Sequence, residues 1–90
     1  RLFHADNVPL RLICTYRGRG TQWLPAEAVD RAGLGHGSND RVVRDWPALR
    51  ELATGDVAVM KGLRFPGPCA DALVHRSPPT DPALPRVVAV

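Results

Sequence analysis

From Leu10 to Tyr16 (LRLICTY) the side chains mix β-branched and aromatic residues with a two-residue alternation, the signature of a strand that turns Leu10, Leu12, Cys14 and Tyr16 to one face. Gly18-Arg19-Gly20 supplies a tight reversal, and Thr21–Leu24 reads as the strand returning from it, so the pattern predicts a β-hairpin. Pro25–Gly33 (PAEAVDRAG) has proline at a helix start, helix formers inside and glycine at the stop, which predicts a short surface helix or turn. Gly33–Asp40 (GLGHGSND) reads as a loop, because it lacks both the Lys-Ser/Thr ending of a phosphate-binding loop and the spacing of a dinucleotide fingerprint. A second short helix is predicted over Trp46–Thr54, with Leu49, Leu52 and Ala53 on one side and Gly55-Asp56 as its stop. Val57–Met60 is a short apolar run between turn signals and predicts a buried strand. Beyond the turn at Phe65–Pro68, Ala70–His75 reads as a strand with Leu73 and His75 on one face. Ser77–Pro85 carries four prolines and reads as a loop, and Arg86–Val90 reads as a last strand.

Short strands, tight turns and scraps of helix predict a mainly β protein, an antiparallel barrel or jelly roll with one or two short helices. Ninety residues accommodate one domain with a modest core. A composition 44% hydrophobic and 23% charged is that of a chain that folds. No stretch approaches the roughly 18–20 apolar residues of a membrane span, and the start lacks a secretory signal, so the expectation is a soluble cytoplasmic protein without membrane contact. The net charge of +3 permits nucleic acid, but the basic residues stand singly and aromatics make up only 6% of the chain. Without aromatic interleaving for base stacking, solvation accounts for the charge better than a nucleic-acid interface does. Cys14 and Cys69 form no C-x-x-C pair and read as two reduced thiols rather than a zinc knuckle or redox couple.

The chemistry concentrates at the two ends. His4 and Asp6 stand two apart immediately before the first strand, and on an extended backbone residues two apart point to the same side. His75 ends a late strand and Arg86 begins the next. Two imidazoles and one carboxylate on one side of a metal ion leave coordination positions open, the ligand set favoured by non-haem Fe(II) oxygenases. Taken singly, each residue has a plainer role: His4 as a solvated terminal residue, Asp6 as a turn former with Asn7, His75 as a core histidine bonded to a carbonyl. His36 lies in the glycine loop and fits no ligand position, while Trp23 and Trp46 read as core or pocket-wall residues.

Taken together, the order H-x-D, a long interval, a second His and then Arg resembles the Fe(II)- and 2-oxoglutarate-dependent oxygenases with a double-stranded β-helix (cupin-like) core. More narrowly, "CTYRGRGTQWLP", "GDVAVMKG" and "VHRSPP" resemble an uncharacterised bacterial family, the domain of unknown function 1826. The resemblance implies His4, Asp6 and His75 as ligands of Fe(II), with Arg86 holding the distal carboxylate of 2-oxoglutarate and Tyr16 as a second contact to it. Thr15 and Ser77 are further candidate contacts, each also able to satisfy its own backbone. It also implies that residues 1–90 are a single-domain fragment of such a core, lacking its N-terminal part. Arg86–Val90 would then present an unpaired edge open to self-association. Two functions follow as expectations: an oxygenase that hydroxylates or demethylates an unknown substrate, or a cupin-like protein that stores, senses or delivers a divalent ion such as zinc without turnover.

Overall fold

A computed structural model of the chain describes residues 1–68, 71–79 and 86–90. Cys69, the expected strand start at Ala70 and the proline-loop residues 80–85 lie outside the described residues. The described chain is mainly β. Its strands are β1 (Leu10–Arg17), β2 (Gln22–Leu24), β3 (Arg50–Glu51), β4 (Val57–Lys61), β5 (Val74–Arg76) and β6 (Val87–Ala89). They form two antiparallel three-stranded sheets, ordered β4-β1-β6 and β3-β2-β5. No helix among the described residues is long and apolar enough to cross a membrane.

The expected hairpin is absent. β1 pairs with β4 and β6, whereas β2 pairs with β3 and β5, so Gly18–Gly20 carries the chain from one sheet to the other. Gly20 is needed there for a close approach: a Cβ at that position would lie 1.7 Å from the Leu52 carbonyl oxygen. Pro25–Gly33, expected as a short helix or turn, forms turns, whereas the helix expected over Trp46–Thr54 does not extend beyond its first turn. Pro25–Gly33 makes two single 3-10 turns, Ala26–Ala28 and Arg31–Gly33. Trp46–Ala48 is another such turn, after which Arg50–Glu51 extends and pairs with β2.

Sheet β3-β2-β5 is the middle layer. On one face Leu24 and Val74 stand opposite each other and join Phe3, Ala28, Val29, Val42 and Val43 in the hydrophobic core. Burying each such Leu or Val contributes about 1.5–3 kcal/mol. The turn-rich segment that closes this core is held by backbone bonds from Asp30 N to Val42 O and from Arg44 N to Ala28 O, both 2.8 Å. The opposite face of the middle layer carries Trp23 and His75, cross-strand neighbours. It looks across at Ile13, Thr15 and Met60, which point inward from the other sheet and are buried. Between the two sheets lies a cavity of about 280 Å³ lined by Thr21, Trp23, Leu52, Ala58, Met60 and Leu73.

β1 alternates as expected, but its more apolar side faces out. Leu12 is 56% exposed and Tyr16 66%, with Val59 of β4 beside Leu12 at 66%. The run Val57–Met60 is therefore buried on one side only. An apolar sheet face this open favours association, and β6 has no partner on its far side among the described residues. The 90-residue chain is expected to self-associate in a concentration-dependent manner. Val59→Lys should shift sedimentation velocity toward the monomer without changing the circular dichroism spectrum.

Candidate metal centre

His4 is drawn to β5 by a reciprocal pair of backbone bonds, His4 N to His75 O and His75 N to His4 O, both 2.9 Å. Directly opposed antiparallel residues put their side chains on the same face. Both imidazoles therefore lie on the same side of β5, His75 buried and His4 at the rim with 53% of its side chain exposed, while Phe3, one residue back, enters the core on the other side. Asp6, two residues on from His4, returns to the histidine side. The H-x-D spacing thus places both side chains on one object, as the alternation predicts.

The segment carrying Asp6 is fixed by the turn after β4. Leu63 N donates to Asp6 O at 2.8 Å, Gly62 N to Pro9 O at 3.0 Å and Arg64 N to Val8 O at 3.2 Å. Gly62 permits this contact, since a Cβ there would sit 1.9 Å from Val8 O and 2.8 Å from Asp6 O, both backbone atoms that cannot swing aside. Gly62→Ala is expected to cost about 1–3 kcal/mol through overpacking. A thermal melt should register it as a drop of roughly 4–8 °C per kcal/mol.

One ligand atom from each of His4, Asp6 and His75 can be chosen so that all lie within 4.8 Å of one another. Asp6 Oδ1 is 3.1 Å from Nε2 of His4, and Oδ2 is 3.2 Å from Nε2 of His75. The rings tilt together at 4.6 Å between centroids. The outer nitrogens decide the protonation pattern. Nδ1 of His4 lies 3.1 Å from Leu2 O, and Nδ1 of His75 lies 3.1 Å from Leu73 O. A carbonyl only accepts, so Nδ1 of His75 carries the hydrogen and its neutral ring turns a lone pair inward at Nε2, while His4 meets an acceptor oxygen at both ring nitrogens, Leu2 O at Nδ1 and Asp6 Oδ1 at Nε2. Burial pushes the His75 pKa below the ordinary imidazole range. The Leu73 carbonyl and the Asp6 charge oppose the shift, and the net effect favours the neutral ring.

The Nε2 lone pair of His75 and the Asp6 carboxylate thus face each other, with His4 Nε2 hydrogen-bonded to the other carboxylate oxygen. Asp6 Oδ2 is buried and accepts no hydrogen bond among the described residues. Nε2 of His75 and Nε of Arg11 both lie 3.2 Å from it, yet neither directs an N–H at it. An orphaned buried carboxylate oxygen beside the His75 lone pair, with His4 Nε2 on the other carboxylate oxygen, fits a divalent cation that takes all three side chains as ligands.

Arg86 lies at the far end of the same face. Its Nε donates to Arg19 O at 2.7 Å. One terminal nitrogen donates to Thr21 Oγ1 at 2.9 Å, with Thr15 Oγ1 at 3.5 Å, and the other lies 3.4 Å from Ser77 Oγ. Every one of these partners is neutral, and Arg86 makes no ion pair among the described residues. Burial, and then the charge of Arg1, lower its pKa, but a guanidinium remains a cation at neutral pH. Ser77 stands two residues after His75, a distance of about 7 Å along an extended strand.

Tyr16 does not join this group. It is on the outer face of β1, while its neighbour Thr15 is the residue that points inward to Arg86. One-residue parity accounts for the difference. Arg11 and Thr21 are site neighbours that the sequence pattern alone did not single out. Arg11 shares the parity of Ile13 and Thr15, so the signal was a charge on the side of β1 that turned out to face inward. Trp23 lines the cavity, and Trp46 packs edge-to-face on Phe3 at 6.1 Å, in keeping with wall and core roles. His36 is exposed in its loop, and Cys14 is a free, half-buried thiol.

The fold and these contacts define a mainly β protein of two small antiparallel sheets, with a cluster of two histidines and one aspartate that is buried at His75 and exposed at His4. The family described as "Protein of unknown function (DUF1826)" matches residues 1–90, and the chain belongs to it. Neither the curated proteins nor the solved structures contain a match to the chain.

Proposed function

We propose that this chain is the ligand-bearing part of a double-stranded β-helix oxygenase that uses Fe(II) and 2-oxoglutarate, with His4, Asp6 and His75 as the iron ligands. The observation that carries the reading is the separation along and just beyond β5: the triad histidine His75 and the Arg86 contact Ser77 lie two residues apart and share a face by strand alternation. A five-carbon dicarboxylate that chelates a metal at its keto-acid end can reach across that distance to a guanidinium. Bound iron would supply oxidative cleavage of a substrate C–H bond, with dioxygen and 2-oxoglutarate consumed and succinate and carbon dioxide formed.

The residues of the chain would orient and exclude water. With a metal bound, the two Nδ1–H groups, donating to Leu2 O and Leu73 O, would hold each ring with its Nε2 inward. Arg86 would pair with the distal carboxylate, and Thr15, Thr21 and Ser77 would set the plane of its fork. Trp23, Leu52, Ala58, Met60 and Leu73 make the wall of the neighbouring cavity mainly apolar, and Thr21, which also lines it, accepts from Arg86.

A cupin-like metal store would use the same three ligands and has no need of the cation. Calorimetric titration of 2-oxoglutarate into the Mn(II)-loaded protein separates the two. Metal-dependent binding supports the oxygenase, and metal binding without 2-oxoglutarate affinity would leave the non-catalytic divalent-ion protein.

A further inference from the structure

We propose that Arg11 is a positioning residue for the Asp6 carboxylate, fixing its plane so that one oxygen faces each histidine; the inference rests on the metal-binding reading above. Asp6 presents Oδ1 to His4 at 3.1 Å and Oδ2 to His75 at 3.2 Å, and Arg11 Nε stands 3.2 Å from Oδ2 alone. A carboxylate held by one point turns about its last bond. The ion pair with the guanidinium on the Oδ2 side and the hydrogen bond from His4 Nε2 on the Oδ1 side limit that freedom.

The placement of Arg11 has no other evident purpose in the fold. On β1 it shares the inward face with Ile13 and Thr15, both buried, and its cross-strand neighbour is the buried Met60. With its side chain 37% exposed, the guanidinium sits at the rim of this face, where the Asp6 carboxylate meets it. Asp6 is the only acidic group with which Arg11 makes an ion pair among the described residues. The backbone clamp formed by Gly62, Leu63 and Arg64 on the Asp6–Pro9 segment fixes the start of β1 relative to Asp6, so the two side chains meet without a search. The arrangement suits the general requirement that a ligating carboxylate be held by a group outside the metal's own ligand set.

The opposite effect is also physically available, because a cation so close to a ligand oxygen repels an incoming metal ion. The two effects predict opposite signs. Mn(II) affinity should be measured by calorimetry on the intact protein, unmutated and as Arg11→Ala, Arg11→Lys and Arg11→Gln, with a thermal melt of each metal-free protein. If Arg11 positions Asp6, Arg11→Ala weakens Mn(II) binding by about 10–100-fold, the usual loss for such a partner. Arg11→Lys should recover part of the loss and Arg11→Gln less, while the metal-free melts stay close together. Equal or tighter binding by Arg11→Ala and Arg11→Gln would overturn the inference and leave the metal site standing. A lowered melting temperature with unchanged affinity would make Arg11 merely structural and overturn it as well. Absence of Mn(II) binding in the unmutated protein would remove the metal reading and this inference together.

Discussion

Asp6→Ala should eliminate Fe(II) binding at concentrations that saturate the unmutated protein, and should leave the metal-free fold intact. Both halves follow from the geometry. Asp6 supplies the only anion of the triad, and with both Nδ1 atoms facing carbonyl oxygens, nothing else in the cluster offsets an incoming dication. Its removal should therefore exceed the 10–100-fold loss typical of residues one step out from a metal. The fold depends little on the carboxylate, because Oδ2 accepts no hydrogen bond, and the partners of the side chain, His4 on Oδ1 and Arg11 on Oδ2, are 53% and 37% exposed and can turn to water. Thermal melts make the contrast visible. At a hundred times its dissociation constant, a metal that binds only the folded state adds about 2.7 kcal/mol. For a chain of this size that raises the melting temperature by roughly 10–20 °C. Asp6→Ala should lose this increment and keep the metal-free value. An increment that survives the substitution would remove Asp6 from the site.

Arg86→Ala should weaken 2-oxoglutarate binding to the Mn(II)-loaded protein by about 2–5 kcal/mol, the usual cost of truncating one partner of a desolvated charge pair. The Mn(II) affinity itself should change little, since Arg86 contacts Thr15, Thr21, Ser77 and the Arg19 carbonyl and none of the proposed ligands. Arg86→Lys should fall between, retaining the charge and losing the fork that addresses two carboxylate oxygens. Thr21→Val is a finer probe, because Thr21 makes the shortest of the three hydroxyl contacts to the guanidinium. It should lower 2-oxoglutarate affinity less than Arg86→Ala does. Equal 2-oxoglutarate affinity in unmutated protein and Arg86→Ala would dissociate Arg86 from the cosubstrate.

The parts of the site that could be read along the chain are those set by local periodicity. Alternation is enough to turn His4 and Asp6 the same way, and it links His75 to Ser77 just as directly. Sheet membership is not local. Gly18-Arg19-Gly20 looks like a hairpin turn, and only the pairing of β1 with β4 and of β2 with β5 shows that it is a crossing between sheets. The segment Trp46–Thr54 has a helical apolar spacing, yet Arg50 and Glu51 find pairing partners in Trp23 and Gln22, and that long-range ladder outweighs a short helix with little intrinsic stability.

The sidedness of β1 was hidden for a different reason. Leu10, Leu12 and Tyr16 make the outer face the more apolar one, and the inward face carries Arg11 and Thr15, polar residues that serve the site. An inside-apolar rule applied to this strand selects the wrong side; Tyr16, which the family resemblance put beside Arg86, lies on the outer face, and Thr15, the other candidate on this strand, lies on the inner one. Polar residues on the inward face of a strand are costly to the core, and they accumulate where a site needs them.

The central claim is that His4, Asp6 and His75 hold one divalent metal ion and that Arg86 completes a 2-oxoglutarate site beside it. Anaerobic titration of the intact protein with Fe(II) and then with 2-oxoglutarate tests it most directly. The account predicts one equivalent of Fe(II) bound, followed by a weak visible charge-transfer band that saturates with 2-oxoglutarate and is absent from Asp6→Ala. Stoichiometric Fe(II) binding with no band would contradict the cosubstrate half of the claim, and failure to bind Fe(II) at all would contradict the whole of it.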